Sequence, residues 1–453
     1  MGPMLYEGTP RNLRHPLRNT RSLICWLLGV MLLAACGSGP TSPASPPDSS
    51  LGVYFTGFTT AGVIGPLYAL DASDGTLRWK IQVHPDAQAQ PLLAKGILYL
   101  REATGGVSAF KASDGTRLWH QDLGHAVVVN TVANGVVYGT VVAGLDPRQS
   151  SIFALNASNG KMLWESPQAG GTLERVADGV VYVGFASMSA PGATGLSALS
   201  ASDGALLWHY QVSAVNVNLF DVVDGQAYLL VYEPPENGGA SIVGFLAALD
   251  SQTGGQRWRF PQNGGANISE LGATDQTVYA LSNDGQPYAP ATIVYALHTS
   301  DGSVQWRRQT PLGLFATSHL EGGTLYLGSG DGVILAMNTS DGSLLWQTQV
   351  AHPQPSDPFP DEVDLQMAHG LLYATVSNNG AYLLKTSDGS VLWHTPITGT
   401  GPLLVLAATS TSLYVSAQAK DGKDFMTALK SSDGSVRWTY SGIDQNVNFA
   451  AVG

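Results

Sequence analysis

The chain has 453 residues, of which only 12% are charged, and it carries 53 Gly and 25 Pro. Sparse charge beside that many turn-forming residues excludes a coiled coil or a charged helical bundle. Lys and Arg number 22 against 34 Asp and Glu, a net charge of −12, which excludes nucleic acid as a partner because phosphate needs clustered cations.

At the N-terminus Arg11, Arg14, Arg18 and Arg21 precede an apolar run, residues 23–35 (LICWLLGVMLLAA). At 1.5 Å per residue the run reaches about 20 Å, short of the roughly 30 Å hydrocarbon core. A basic segment followed by a short apolar one reads as an export signal. It ends Leu33-Ala34-Ala35-Cys36-Gly37, which resembles a bacterial lipobox. That resemblance implies cleavage before Cys36 and a diacylglycerol on its thiol; the alternatives are a plain transmembrane anchor or an unmodified cysteine. Residues 37–50 (GSGPTSPASPPDSS) form a tether with nothing to bury. The chain therefore divides into a signal peptide over 1–35, a lipidated cysteine and flexible linker over 36–51, and one folded domain over 52–453. The two cysteines are Cys25 and Cys36, so the folded domain has neither a disulfide nor a cysteine metal ligand although it is exported.

One pattern repeats through the folded part. ALDASDGTLRW ends at Trp79, AFKASDGTRLW at Trp119, ALNASNGKMLW at Trp164 and ALSASDGALLW at Trp208. ALDSQTGGQRW ends at Trp258, ALHTSDGSVQW at Trp306 and AMNTSDGSLLW at Trp346. LLKTSDGSVLW at Trp393 and ALKSSDGSVRW at Trp438 complete the series. Successive Trp residues lie 40 to 50 apart, and the tenth Trp of the chain is Trp26 of the signal.

Each unit resolves into four short strands. An apolar stretch closed by a turn, as in Thr131-Val132-Ala133-Asn134-Gly135 or Arg175-Val176-Ala177-Asp178-Gly179, is followed by a second strand such as Val136-Val137-Tyr138 or Thr324-Leu325-Tyr326. The third strand holds the Ala-Leu of the motif and the fourth its Trp. Asn-Gly and Asp-Gly between apolar runs are strong hairpin signals, since Gly accepts positive φ at little cost. Four strands per unit with tight hairpins predict an all-β fold, a single β-propeller of four-stranded antiparallel blades. The first unit opens on the second-type strand Val53-Tyr54-Phe55, and the chain ends on Asn448-Phe449-Ala450-Ala451-Val452-Gly453. Pairing these N- and C-terminal strands completes one blade from both ends and removes an open edge. The repeat count then gives nine blades, with eight as the alternative because propellers usually have four to eight.

The motif resembles the PQQ-like repeat of quinoprotein propellers, A-x-D-x-x-T-G-x-x-x-W, and Ala248 through Trp258 fits it at every defined position. Elsewhere Asp, or Asn159, stands for the Thr and keeps a side chain able to bond a turn amide. The resemblance covers roughly residues 52–453. It implies that the repeat Trp residues pack between adjacent blades, a structural role suited to a ring that buries about 150–250 Å². Enzymes of the family stack their quinone on a Trp floor, usually under vicinal cysteines, with a catalytic Asp beside Ca²⁺. Here every Trp after the signal belongs to the repeat, no cysteine follows Cys36, and no Asp stands in a matching motif. The expectation is a noncatalytic lipoprotein member without cofactor, similar in build to the propeller lipoprotein of the outer-membrane β-barrel assembly machinery.

For a site, the sequence offers two places. The connections expected on one face are all tight turns, whereas those on the other lengthen at 56–66, 143–151, 186–195, 232–243, 283–292 and 352–364, so protein partners are expected on the long-loop face. On the inner strands Thr131, Arg175, Asp221, His319 and Gln366 each stand four residues before the turn residue and are the candidates to line a channel and bind a small polar ligand. Asp357, Asp361, Glu362 and Asp364 match no known Ca²⁺ loop and read as a solvated acidic loop. His120, His209 and His394 each follow a repeat Trp and fall on separate blades, so no metal site is expected from them. The functional expectation is a monomeric, lipid-anchored, extracytoplasmic protein-binding or scaffold module of the bacterial envelope, touching the membrane through its lipid alone. The alternatives are a carbohydrate- or small-ligand-binding surface protein and, further off, a PQQ-dependent dehydrogenase.

Overall fold

Nine four-stranded antiparallel sheets make up the computed structural model, each with its strands in chain order from the inside outward, save one built from both ends of the chain. The structure describes residues 51–58, 64–83, 91–102, 105–142, 149–167, 170–186, 194–233, 243–261, 268–282, 292–310, 315–352, 363–377, 379–397, 399, 403–419, 423–441 and 450–452. Among them there is no α-helix. The inner strands of blades 1 to 9 are Ala450–Val452, Leu92–Ala94, Val127–Ala133, Thr172–Ala177, Asn216–Val223, Ile268–Ala273, Phe315–Glu321, Val363–Ala368 and Leu404–Ala408. Each lies beside the next around a ring. Ala450–Val452 lies beside both Leu404–Ala408 and Leu92–Ala94, so the ring is a closed nine-bladed propeller.

Closure runs through blade 1. Its second strand, Gly52–Phe58, pairs antiparallel with the C-terminal strand, Val53 opposite Val452 and Phe55 opposite Ala450. Phe449, which the sequence reading includes in that strand, lies outside the described residues.

The hairpins follow from local chemistry. The turns from inner to second strand at Lys95-Gly96, Asn134-Gly135, Asp178-Gly179, Asp224-Gly225 and His369-Gly370 hold two successive residues at positive φ. That is the twist a two-residue hairpin needs, with Gly in the second place. In the motif turn, the side chain before Gly accepts the amide two residues on. Asp114 Oδ1 takes Thr116 N–H at 2.8 Å, and Asn159 Oδ1 takes Lys161 N–H at 3.0 Å. Thr253 Oγ1 does the same for Gly255 at 3.3 Å. The hydroxyls of Thr116, Ser303, Ser343 and Ser435 hold the carboxyls of Asp114, Asp301, Asp341 and Asp433 below their usual range.

Blades dock by one device used nine times. The indole N–H of each repeat Trp donates to a carbonyl of the next blade's motif, from Trp79 to Ala112 (3.0 Å) through Trp258 to Thr299 (2.7 Å), and Trp438 closes the ring on Ala72 (2.9 Å). The motif Gly of that next blade lies on the indole; a Cβ on Gly302 would fall 2.6 Å from Trp258. Its φ of +69° is also one that L side chains rarely adopt. A second-strand tyrosine completes the contact, Tyr279 lying 6.0 Å from Trp306 and Tyr414 6.0 Å from Trp438. Tyr414 Oη also donates to Ala72 O at 3.2 Å, the carbonyl that Trp438 uses.

Candidate functional site

The five inner-strand candidates share one level of the ring. Thr131, Arg175, Asp221, His319 and Gln366 stand opposite Tyr138, Tyr182, Tyr228, Tyr326 and Tyr373, the interblade tyrosines of blades 3, 4, 5, 7 and 8. Leu92, Gly272 and Ala407 hold the same place in blades 2, 6 and 9. The level is thus polar over two arcs and apolar between them.

Sheet geometry decides what these side chains meet. Residues on a strand point out of its sheet, and each propeller sheet faces its neighbours. Arg175 donates from Nη1 to Asp221 Oδ1 at 2.6 Å and from Nη2 to Phe220 O at 2.6 Å. Two of the five candidates thereby form one ion pair bridging blades 4 and 5. His319 Nε2 lies 2.8 Å from Leu365 O on blade 8, which places the proton on Nε2, and burial pushes its pKa down. Gln366 turns its amide to Met367 O at 3.1 Å.

Beside these residues, sequence reasoning missed a second set. The inner strands of blades 3, 4, 5, 6, 7 and 9 each slip register by one residue against the second strand, as a β-bulge does. In blade 3 the extra residue is Asn130, whose amide donates to Leu173 O of blade 4 at 3.2 Å. In blade 4 it is Glu174, which accepts Leu219 N–H of blade 5 at 2.8 Å. Next to the bulge of blade 7, Thr317 reaches blade 8, donating to Val363 O at 2.9 Å and accepting Leu365 N–H at 3.0 Å.

Glu174 has a pH signature. Gly184 on the next strand carries no side chain where the carboxylate lies, and a Cβ there would overlap it. Burial pushes the Glu174 carboxyl up to about 7, against the bond from Leu219 N–H and the nearby Arg175 charge. The folded state therefore binds this proton more tightly than the unfolded chain, where a Glu titrates near 4.3. Stability is full below that value and falls as pH rises toward 7, by on the order of 2–3 kcal/mol. Glu174→Gln keeps an oxygen for Leu219 and should flatten that fall. Urea titrations at pH 5 and pH 8 check it, and an unchanged pH slope would contradict it.

The three histidines stand on the outer strands Arg117–Asp122, Leu206–Val212 and Val391–Thr395, in blades 2, 4 and 8. Ser108 Oγ lies 3.1 Å from His120 Nδ1, and Ser197 Oγ lies 3.0 Å from His209 Nδ1. Tyr382 stacks on His394 at 4.2 Å. Asp364 stands opposite Thr375 in the inner strand of blade 8, while Asp357, Asp361 and Glu362 lie outside the described residues. Most of the long-loop face does too, at 143–148, 187–193, 234–242, 283–291 and 353–362. No group of three or more His, Cys, Asp or Glu able to hold a metal occurs among the described residues.

Comparison with known proteins agrees with the repeat. A family model described as "Outer membrane protein assembly factor BamB" matches residues 50–179, 148–285 and 197–440. The protein of that name from Bordetella pertussis is 26% identical over 184 residues, which are 39% of this chain and 43% of that protein. Its namesake from Moranella endobia is 25% identical over 183 residues, 36% of this chain and 46% of the other. The chain spans less than half the length of these curated relatives. Among solved structures, BamB from Moraxella catarrhalis aligns with 74% of this chain and 94% of its own, at 16% identity and a TM-score of 0.41.

Proposed function

Because the chain belongs to the family of the outer membrane protein assembly factor BamB, matched from residue 50 to residue 440, we propose that it is a noncatalytic, lipid-anchored propeller of the bacterial envelope that holds protein partners during outer-membrane assembly. The observation that carries the reading is the family match over nearly the whole repeat region. The use of the repeat indoles supports it. The indole N–H groups of Trp79, Trp258 and Trp438 alike bond the next blade, which leaves such rings fixed between sheets rather than open as a quinone floor. Partners are assigned to the long-loop face, because the opposite face is built of tight turns that offer little surface relief. The protein acts as a monomer, with its acidic body in the periplasmic or extracellular space.

The anchor is assigned to Cys36, which lies outside the described residues. A diacyl group supplies the two chains that stable attachment requires. Cys36→Ala should move the protein from the membrane fraction to the soluble one, or stall its processing. Fractionation of cells carrying full-length protein reads this, and full membrane retention of a correctly processed Cys36→Ala chain would refute the anchor.

A further inference from the structure

Nine copies of one repeat make every blade a control for the others. Three residues after its interblade tyrosine, the second strand carries Val141 in blade 3, Phe185 in blade 4, Val231 in blade 5 and Val376 in blade 8. Blade 2 alone carries an acid there: Glu102, whose side chain is 8% exposed. A carboxylate so placed is costly unless something answers its charge. Within the chain, Ser108 Oγ–H donates to Glu102 Oε1, and His120 Nδ1 lies 3.6 Å from that same oxygen. Since the Ser108 hydroxyl aims its proton at the carboxylate, Ser108 Oγ is left to accept from His120 Nδ1–H at 3.1 Å. Blade 4 repeats the serine–histidine pair but stacks Phe185 on His209 at 4.6 Å in place of the acid.

Glu102 also lines a cavity of about 240 Å³ between blades 1 and 2, with Phe110 and Arg117 from blade 2 and Ile81, Gln82 and Val83 from blade 1. Arg117 is exposed and has no ion pair among the described residues. Glu102 stands opposite Gly106, and Phe110 opposite Arg117. Gly106 and Phe110, the residues opposite the two charged ones, stand four residues and so about 13 Å apart along that strand. Between the two charged ends lie the buried Phe110 and Val83. An acid at one end, a guanidinium at the other and an apolar floor between define the ligand's chemistry.

We infer that this cavity binds a short zwitterion of dipeptide length, its ammonium on Glu102, its carboxylate on Arg117 and its apolar side chain on Phe110 and Val83. Two extended residues span about 7 Å, and the Glu102 and Arg117 side chains cover the remaining distance. The volume lies below the roughly 300–1,000 Å³ of drug-sized pockets, which selects a fragment of this length. The site stands apart from the anchoring and scaffold roles.

Calorimetric titration of the full-length protein with glycyl-leucine at pH 7 tests it. Saturable binding is expected. Both N-acetyl-glycyl-leucine, which lacks the cation, and glycyl-leucine amide, which lacks the anion, should bind about tenfold more weakly or worse, as loss of a charge-assisted contact does. Glu102→Gln should stop distinguishing the acetylated from the free dipeptide. Arg117→Gln, an exposed change with no effect on the melting midpoint, should stop distinguishing the amide from the acid. Absence of saturable binding, or equal binding of all three ligands by the unaltered protein, would overturn the assignment.

Discussion

Trp306→Ala is expected to lower stability by about 3–5 kcal/mol, the cost of removing a large buried ring from a core that closes only in part. The indole is 7% exposed, lies 6.0 Å from Tyr279 and donates to Thr339 O at 2.9 Å. Its loss takes the shorter of that carbonyl's two hydrogen bonds from the blade 6–blade 7 interface and leaves it only Tyr279 Oη at 3.3 Å, a cost added to the cavity. Gly342 of blade 7 rests on the same ring, with a Cβ there 2.6 Å from it, so the motif turn of the next blade loses its seat as well. Trp306→Phe, which refills part of the volume without the N–H, should fall between the two. Urea denaturation followed by circular dichroism measures the series, and a midpoint unmoved by Trp306→Ala would contradict this packing.

Truncation after Gly442 is expected to have an effect of similar size, with a second symptom. It removes the strand that pairs with Gly52–Phe58 and frees the inner edge of a blade whose Val53 and Phe55 are fully buried. The lost pairing and partial exposure of those side chains should cost on the order of 3 kcal/mol. Blade 9 would still hold blade 1 through Trp438 and Tyr414 on Ala72, so the ring should loosen rather than unravel. The freed edge is a template for other chains, and size-exclusion chromatography should show concentration-dependent association. A monomeric truncated chain with an unchanged melting midpoint would show that closure does not depend on the C-terminal strand.

Most of the architecture is legible in the sequence because it is written nine times. The Trp count and the unpaired terminal strands predict nine blades closed from both ends, and Ala450–Val452 on Gly52–Phe58 is that closure. The interblade tyrosines were within reach: the second strands at Tyr54, Tyr138 and Tyr326 each carry one, but unequal loop lengths hide their spacing from the Trp. The inner-strand candidates are harder. Counting back from the turn puts Arg175, Asp221 and His319 at one level, yet nothing local says that Arg175 and His319 reach the neighbouring strand. The one-residue bulges that place Asn130 and Glu174 between blades leave no mark on the apolar pattern of a strand so short. Glu102, Ser108 and His120 stand on three strands of one blade, and only the antiparallel register brings them together.

The scaffold reading has its most direct test inside the cell. Full-length protein, crosslinked in intact bacteria and captured from the envelope, should bring down components of the machinery that assembles outer-membrane β-barrels, in amounts that fall when Cys36→Ala removes the anchor. Recovery of no envelope protein above the level of an unrelated lipoprotein would contradict a role in outer-membrane assembly.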